Sequence, residues 1–147
     1  MPSVGFVLDC SVTLCWYFQD EVNDYADDVQ DQLVHVQAIV PVIWPLEVAN
    51  CLLVGERRKR STVSQATSWT QHLATMPISV ETLTTAQAWG SILAIGRAHD
   101  VTAYDAAYLE LAIRRGLPLA TVDTKLKAAA AKAAVKTYQP LRKRKSL

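Results

Sequence analysis

Apolar residues recur along this chain in short runs, and several of the runs that read as strands end at an acid. Residues 4–8 form a β-leaning run that stops at Asp9, and Ser11 is placed to cap a helix over 12–18. A polar helix over 23–36 leads to the apolar pair Ile39 and Val40. Pro45 then sits in the opening turn of a long helix reaching Arg60. Residues 62–75 read as an exposed helix closed by Pro77, 78–80 as a strand and 84–98 as another helix. Thr102 starts a helix that runs to Arg115, Gly116 stops it as a carboxyl cap, and 117–122 is a strand ending at Asp123. Residues 125–134, with four consecutive alanines, form a short helix, and 135–138 a last edge strand. Short strands alternating with helices predict an α/β fold with a mostly parallel sheet. Ligands of such sheets bind beyond the carboxyl ends of the strands, the edge at which Asp9, Glu47, Asp105 and Asp123 all fall.

Composition narrows the class. The 147 residues with 50% apolar content suit one compact domain with a filled core, and no internal repeat or linker is visible. The amino-terminal segment lacks a basic leader and cleavage site, and the apolar stretch 38–49 is interrupted by Pro41, Pro45 and Glu47, so neither a signal peptide nor a membrane span is expected. Cys10, Cys15 and Cys51 show no paired spacing, which excludes a disulfide framework or zinc knuckle and fits reduced thiols in the cytoplasm. His35, His72 and His99 share no ligand spacing; the His99–Asp100 pair lacks the further His and Asp of a metal-dependent phosphohydrolase and ends a helix.

Net charge is +1, but eight of the 15 basic residues fall in two clusters, 57–60 and 142–145. Helix-end capping and nucleic-acid contact are both open readings of the first cluster, and a solvated tail or nucleic-acid contact of the second. Asp20, Glu21, Asp24, Asp27, Asp28 and Asp31 form an exposed acidic face.

Each of the four acids has a local explanation. Asp9 and Asp123 have the position of helix amino-terminal caps, and Thr102 with Asp105 has capping-box spacing. Glu47 is different, because its helix is apolar nearly all round. Dipole stabilisation in a first turn is worth only about 0.3 to 1 kcal/mol, less than the desolvation of a carboxylate, so Glu47 calls for a partner. Asp105 heads the face continued by Tyr108, Leu109 and Ala112, which turns it toward the core. Carboxylates that converge repel one another unless a cation lies between them.

The segments VLDCSV around Asp9, PLEVANCL around Glu47, TAYDAAYLELA around Asp105 and LATVDTKL around Asp123 together resemble PIN-domain ribonucleases, especially VapC-type toxins of toxin-antitoxin pairs. The resemblance implies a three-layer α/β/α sandwich (residues 1–140, followed by a basic tail, 141–147). It implies one acidic pocket holding Mg²⁺ or Mn²⁺, with Asp9 and Asp105 as direct metal ligands. Glu47 and Asp123 would complete the catalytic set, ligating, acting through water or positioning the nucleophile. The implied reaction is metal-assisted hydrolysis of RNA, leaving 5′-phosphate and 3′-hydroxyl ends. Ser11 and Thr121 would hydrogen-bond the pocket or substrate, and Arg57 and Arg58 would contact phosphates. A homodimer and a small antitoxin partner are also implied. Five consecutive apolar residues, Leu14 to Phe18, together with Trp44, are candidates for a partner groove or for a helix buried on both sides. Competing readings are a non-catalytic PIN-like binding module and a haloacid dehalogenase-like phosphatase. The latter rests on D-C-S-V-T at 9–13, where Ser11 replaces the motif's second Asp.

Overall fold

A computed structural model of the chain describes residues 2–142; Lys143, Arg144 and Lys145 of the second basic cluster lie outside the described residues, as does most of the expected tail. The order of elements is β1 (Val4–Leu8), α1 (Cys10–Cys15), a 3₁₀ turn (Gln19–Glu21), α2 (Asp24–Gln32), β2 (Gln37–Pro41), α3 (Trp44–Arg57), α4 (Val63–Leu73) and β3 (Ile78–Glu81). It continues with α5 (Thr85–Gln87), a π turn (Ala88–Ile92), α6 (Leu93–His99), α7 (Ala103–Arg115), β4 (Leu119–Ala120) and α8 (Thr124–Lys132). The four strands form one all-parallel sheet in the order β3-β2-β1-β4. Helices cover both faces, giving the α/β/α sandwich. The central strand therefore reads as a continuous apolar run, with Phe6, Val7 and Leu8 fully buried.

Local chemistry sets most helix ends. Asn23 caps α2 by accepting from Ala26 N–H, and reciprocal capping boxes open α4 (Thr62/Gln65) and α5 (Thr84/Gln87). Gly116, at φ +63°, closes α7 in the left-handed conformation that glycine adopts without strain. Asp100 ends α6 in the same way at φ 50°.

Several elements differ from the sequence expectation, each for a tertiary reason. Ser11 does not cap a helix: α1 already begins at Cys10, and the Ser11 hydroxyl turns back to Asp9. The strand expected over 117–122 is only Leu119–Ala120, because β1 pairs with it at just two positions before Thr121 bends to the sheet edge. The last edge strand is reduced to a single parallel bridge, Leu119 with Thr137. Helix α3 is not apolar all round in its surroundings: Trp44, Val48, Leu52 and Gly55 face the core while Leu46 is 67% exposed. Trp44 is a core residue whose indole N–H donates to Thr13 Oγ1 at 3.1 Å, so it offers no partner surface.

Arg60 folds back over the 3₁₀ turn, donating to Asp20 at 2.8 Å and stacking on the Phe18 ring at 4.0 Å. Gly55 makes that region possible, since a Cβ there would lie 2.8 Å from the Phe18 ring. The result is an aromatic groove of about 740 Å³ lined by Trp16, Tyr17, Phe18 and Trp69 among others. No helix among the described residues is long and apolar enough to cross a membrane.

Candidate active site

The strand order places a topological switch point at β1, where the chain continues to β2 on one side and returns as β4 on the other. Asp9 follows β1 directly, and Thr121 and Asp123 follow β4. Asp9 N–H donates to the Ala120 carbonyl at 3.0 Å, which fixes the two strand ends side by side. Across this seam the Ser11 and Thr121 hydroxyls both donate to Asp9 Oδ2, at 2.6 and 2.7 Å. Each oxygen also accepts a backbone bond, Ser11 from Val122 N–H and Thr121 from Asp123 N–H. The two hydroxyls are thus consumed in holding the Asp9 carboxylate. Asp9 occupies the amino-terminal cap position of α1 but makes no side-chain capping bond.

Glu47 enters from the first turn of α3 and finds its partner in Tyr108 of α7, whose phenol O–H donates to Oε1 at 2.7 Å. Asp105 sits one turn before Tyr108. Its backbone N–H donates to Thr102 Oγ1, but the reciprocal side-chain bond of a capping box is not formed, leaving the carboxylate free of that duty. Asp123 does cap α8, accepting from Leu126 N–H through Oδ1. Exposure is graded: Asp9 is buried, Glu47 and Asp105 are half-buried and Asp123 is exposed.

The acids feel one another. Burial pushes the Asp9 carboxyl above the usual carboxylate range against the opposing pull of its two hydroxyl donors, and the charge of Asp123 adds to the rise. Burial likewise raises Glu47, with Asp9 and Asp105 adding repulsion and the Tyr108 bond opposing it. Asp105 is raised by burial and then by Asp123 and Asp9; Lys125, on α8, acts in the opposite direction. All four acids therefore share one electrostatic field. Arg57 and Arg58 are not brought to it, since Arg57 lies roughly 15 Å further along α3 than Glu47. Tyr108 and Lys125 were not among the site residues expected from sequence. Their one signal is spacing, Tyr108 three residues after Asp105 and Lys125 two after Asp123.

The chemistry of the donor set fits a hard divalent cation, since it consists of carboxylates without an imidazole. Burial drives the neighbouring Cys10 thiol far above its usual range, which keeps it protonated in the metal-free chain. Among the described residues no three Asp, Glu, His or Cys side chains are gathered into a ready-made metal cage.

A family model described as PIN domain matches residues 6–132. No curated protein matches the chain. Among solved structures, PAE2754 from Pyrobaculum aerophilum is similar with a TM-score of 0.65 at 20% identity, over 86% of this chain and 79% of that one. A toxin-antitoxin complex from Klebsiella pneumoniae gives 0.59 at 16% identity, over 84% and 91%. FitAcB from Neisseria gonorrhoeae gives 0.60 at 17% identity, over 92% and 97%. At such identities these likenesses describe the fold.

Proposed function

The chain belongs to the PIN domain family, and from that premise we propose that it is a metal-dependent endoribonuclease, the toxin of a type II toxin-antitoxin pair acting in the cytoplasm. The observation that carries the reading is the shared field of Asp9, Glu47, Asp105 and Asp123 at the switch point, where Lys125 is the one opposing charge among the causes acting on the three raised acids and the other opposing causes are hydrogen bonds. Asp9 and Asp105 are the residues that would hold Mg²⁺ or Mn²⁺. When bound, such an ion would supply Lewis acidity there, lowering the pKa of water and offsetting charge on the phosphoryl and leaving oxygens. Asp9, pinned by Ser11 and Thr121, gives the pocket a fixed floor. Glu47 and Asp123 would accept hydrogen bonds from water in the pocket and orient it in line with the leaving 3′-oxygen, so that the products would carry 5′-phosphate and 3′-hydroxyl ends. Arg57 and Arg58, remote from the acids, would contact RNA phosphates away from the scissile bond.

For partners, the aromatic groove at Trp16, Tyr17, Phe18 and Trp69 is the candidate seat of an antitoxin segment. The similarity to a toxin-antitoxin complex supports an antitoxin as partner. The exposed apolar residues Leu46 and Leu53 of α3 and Trp89, which is 77% exposed in the π turn, are candidates for contact with a second copy. The test is Asp9→Asn or Asp105→Asn assayed on RNA with Mg²⁺ or Mn²⁺. Each variant should keep its circular dichroism spectrum and lose cleavage; full activity in either would overturn the assignment.

A further inference from the structure

Glu47 is the one acid of the pocket held by a side chain from another helix. Tyr108 is fully buried, and its hydroxyl reaches Glu47 Oε1 at 2.7 Å. A buried phenol O–H needs an acceptor, and a Phe at 108 would fill the same space without one. Glu47 for its part stands in a first turn, half-buried after the exposed Pro45 and Leu46, where its several side-chain torsions gain a fixed partner in Tyr108. One helix, α7, thus presents Asp105 to the pocket and, one turn on, grips the acid that α3 contributes. Burial pushes the phenol far above its usual range, so it remains a donor whenever the chain is folded.

We infer that Tyr108 is a positioning residue, which sets the place of the Glu47 carboxylate relative to Asp105 for the hydrolytic step. This inference rests on the nuclease reading above. Its test compares the wild type with Tyr108→Phe, with Glu47→Asp, which keeps the charge but falls short of the phenol, and with the double variant, on RNA in Mg²⁺ or Mn²⁺. Tyr108→Phe should lower kcat about tenfold, the rate equivalent of one hydrogen bond to a charged group, with KM unchanged. The double variant should be no slower than Glu47→Asp alone, because both changes break the same contact. A Tyr108→Phe enzyme with wild-type kcat, a change confined to KM, or losses that multiply in the double variant would each overturn the inference while leaving the nuclease reading in place. A wild type inert toward RNA would instead remove the nuclease reading and this inference with it.

Discussion

Asp9 and Glu110 are buried to nearly the same degree, at 5% and 6% relative exposure, yet their charges are handled in opposite ways. Glu110 receives Arg114 from one turn further along α7 at 2.7 Å; Arg114 also reaches Glu81 of β3 at 3.1 Å, and Arg115 joins the same carboxylate at 3.4 Å. Asp9 receives two hydroxyls and faces the charge of Asp123. Helix α7 spans both arrangements, carrying Asp105 in its first turn and the Glu110 pair nearer its end. Where an acid serves to fasten α7 to the sheet, an arginine closes the charge balance within the chain. At the switch point the balance is left open, which weakens the fold locally and strengthens a cation's hold on it.

The largest effect expected from this contrast is at the compensated end. Arg114→Ala would strand the buried Glu110 carboxylate and should cost about 3 kcal/mol, the lower end for a broken buried pair because the arginine itself is partly exposed. Urea denaturation measures it. A loss under about 1 kcal/mol, the worth of an exposed pair, would dissolve the contrast. The open end predicts a gain of similar size from ligand: Mn²⁺ at a hundredfold excess over its Kd should stabilise the wild type by about 2.7 kcal/mol. Arg114→Ala should keep that gain and Asp9→Asn should not. An equal rise in the thermal midpoint of wild type and Asp9→Asn would place the ion elsewhere.

What could be read from sequence was whatever a few neighbouring residues decide. The helix starts near residues 23, 62 and 102 and the stop at Gly116 are all local, and each stands close to where the sequence puts it. The four acids were also legible, partly because each lies at a strand or helix boundary and mainly because their segments together resemble one family. Their supports were not. Ser11 looks like a cap until Thr121, 110 residues away, joins it on Asp9. Tyr108 looks like an ordinary core residue until α3 packs beside it, and Trp44 looks like surface until Thr13 accepts its N–H. Asp123 shows the converse, for its capping role was visible locally and coexists with its place in the shared field.

The smallest effect is the most direct probe of that field in metal-free protein. Asp9, Glu47 and Asp105 are each pushed up on folding, so the folded chain holds protons at a pH where the unfolded chain has released them. Their contribution is fully present below the unfolded carboxylate value of about 4 and is lost as pH rises through the raised folded values. With EDTA present, the thermal midpoint should therefore decline as pH rises above about 4. Asp20 does not confuse this window: Arg60 holds its carboxyl below the usual range, so its contribution is lost only on acidification beneath that range. Asp105→Asn removes one titrating acid and the repulsion it exerts on Glu47. The variant should be more stable than the wild type at neutral pH, and its profile should be flatter. Parallel wild-type and Asp105→Asn profiles would mean that the acids do not share a field in solution, and the contrast between Asp9 and Glu110 would then reduce to the presence or absence of one arginine.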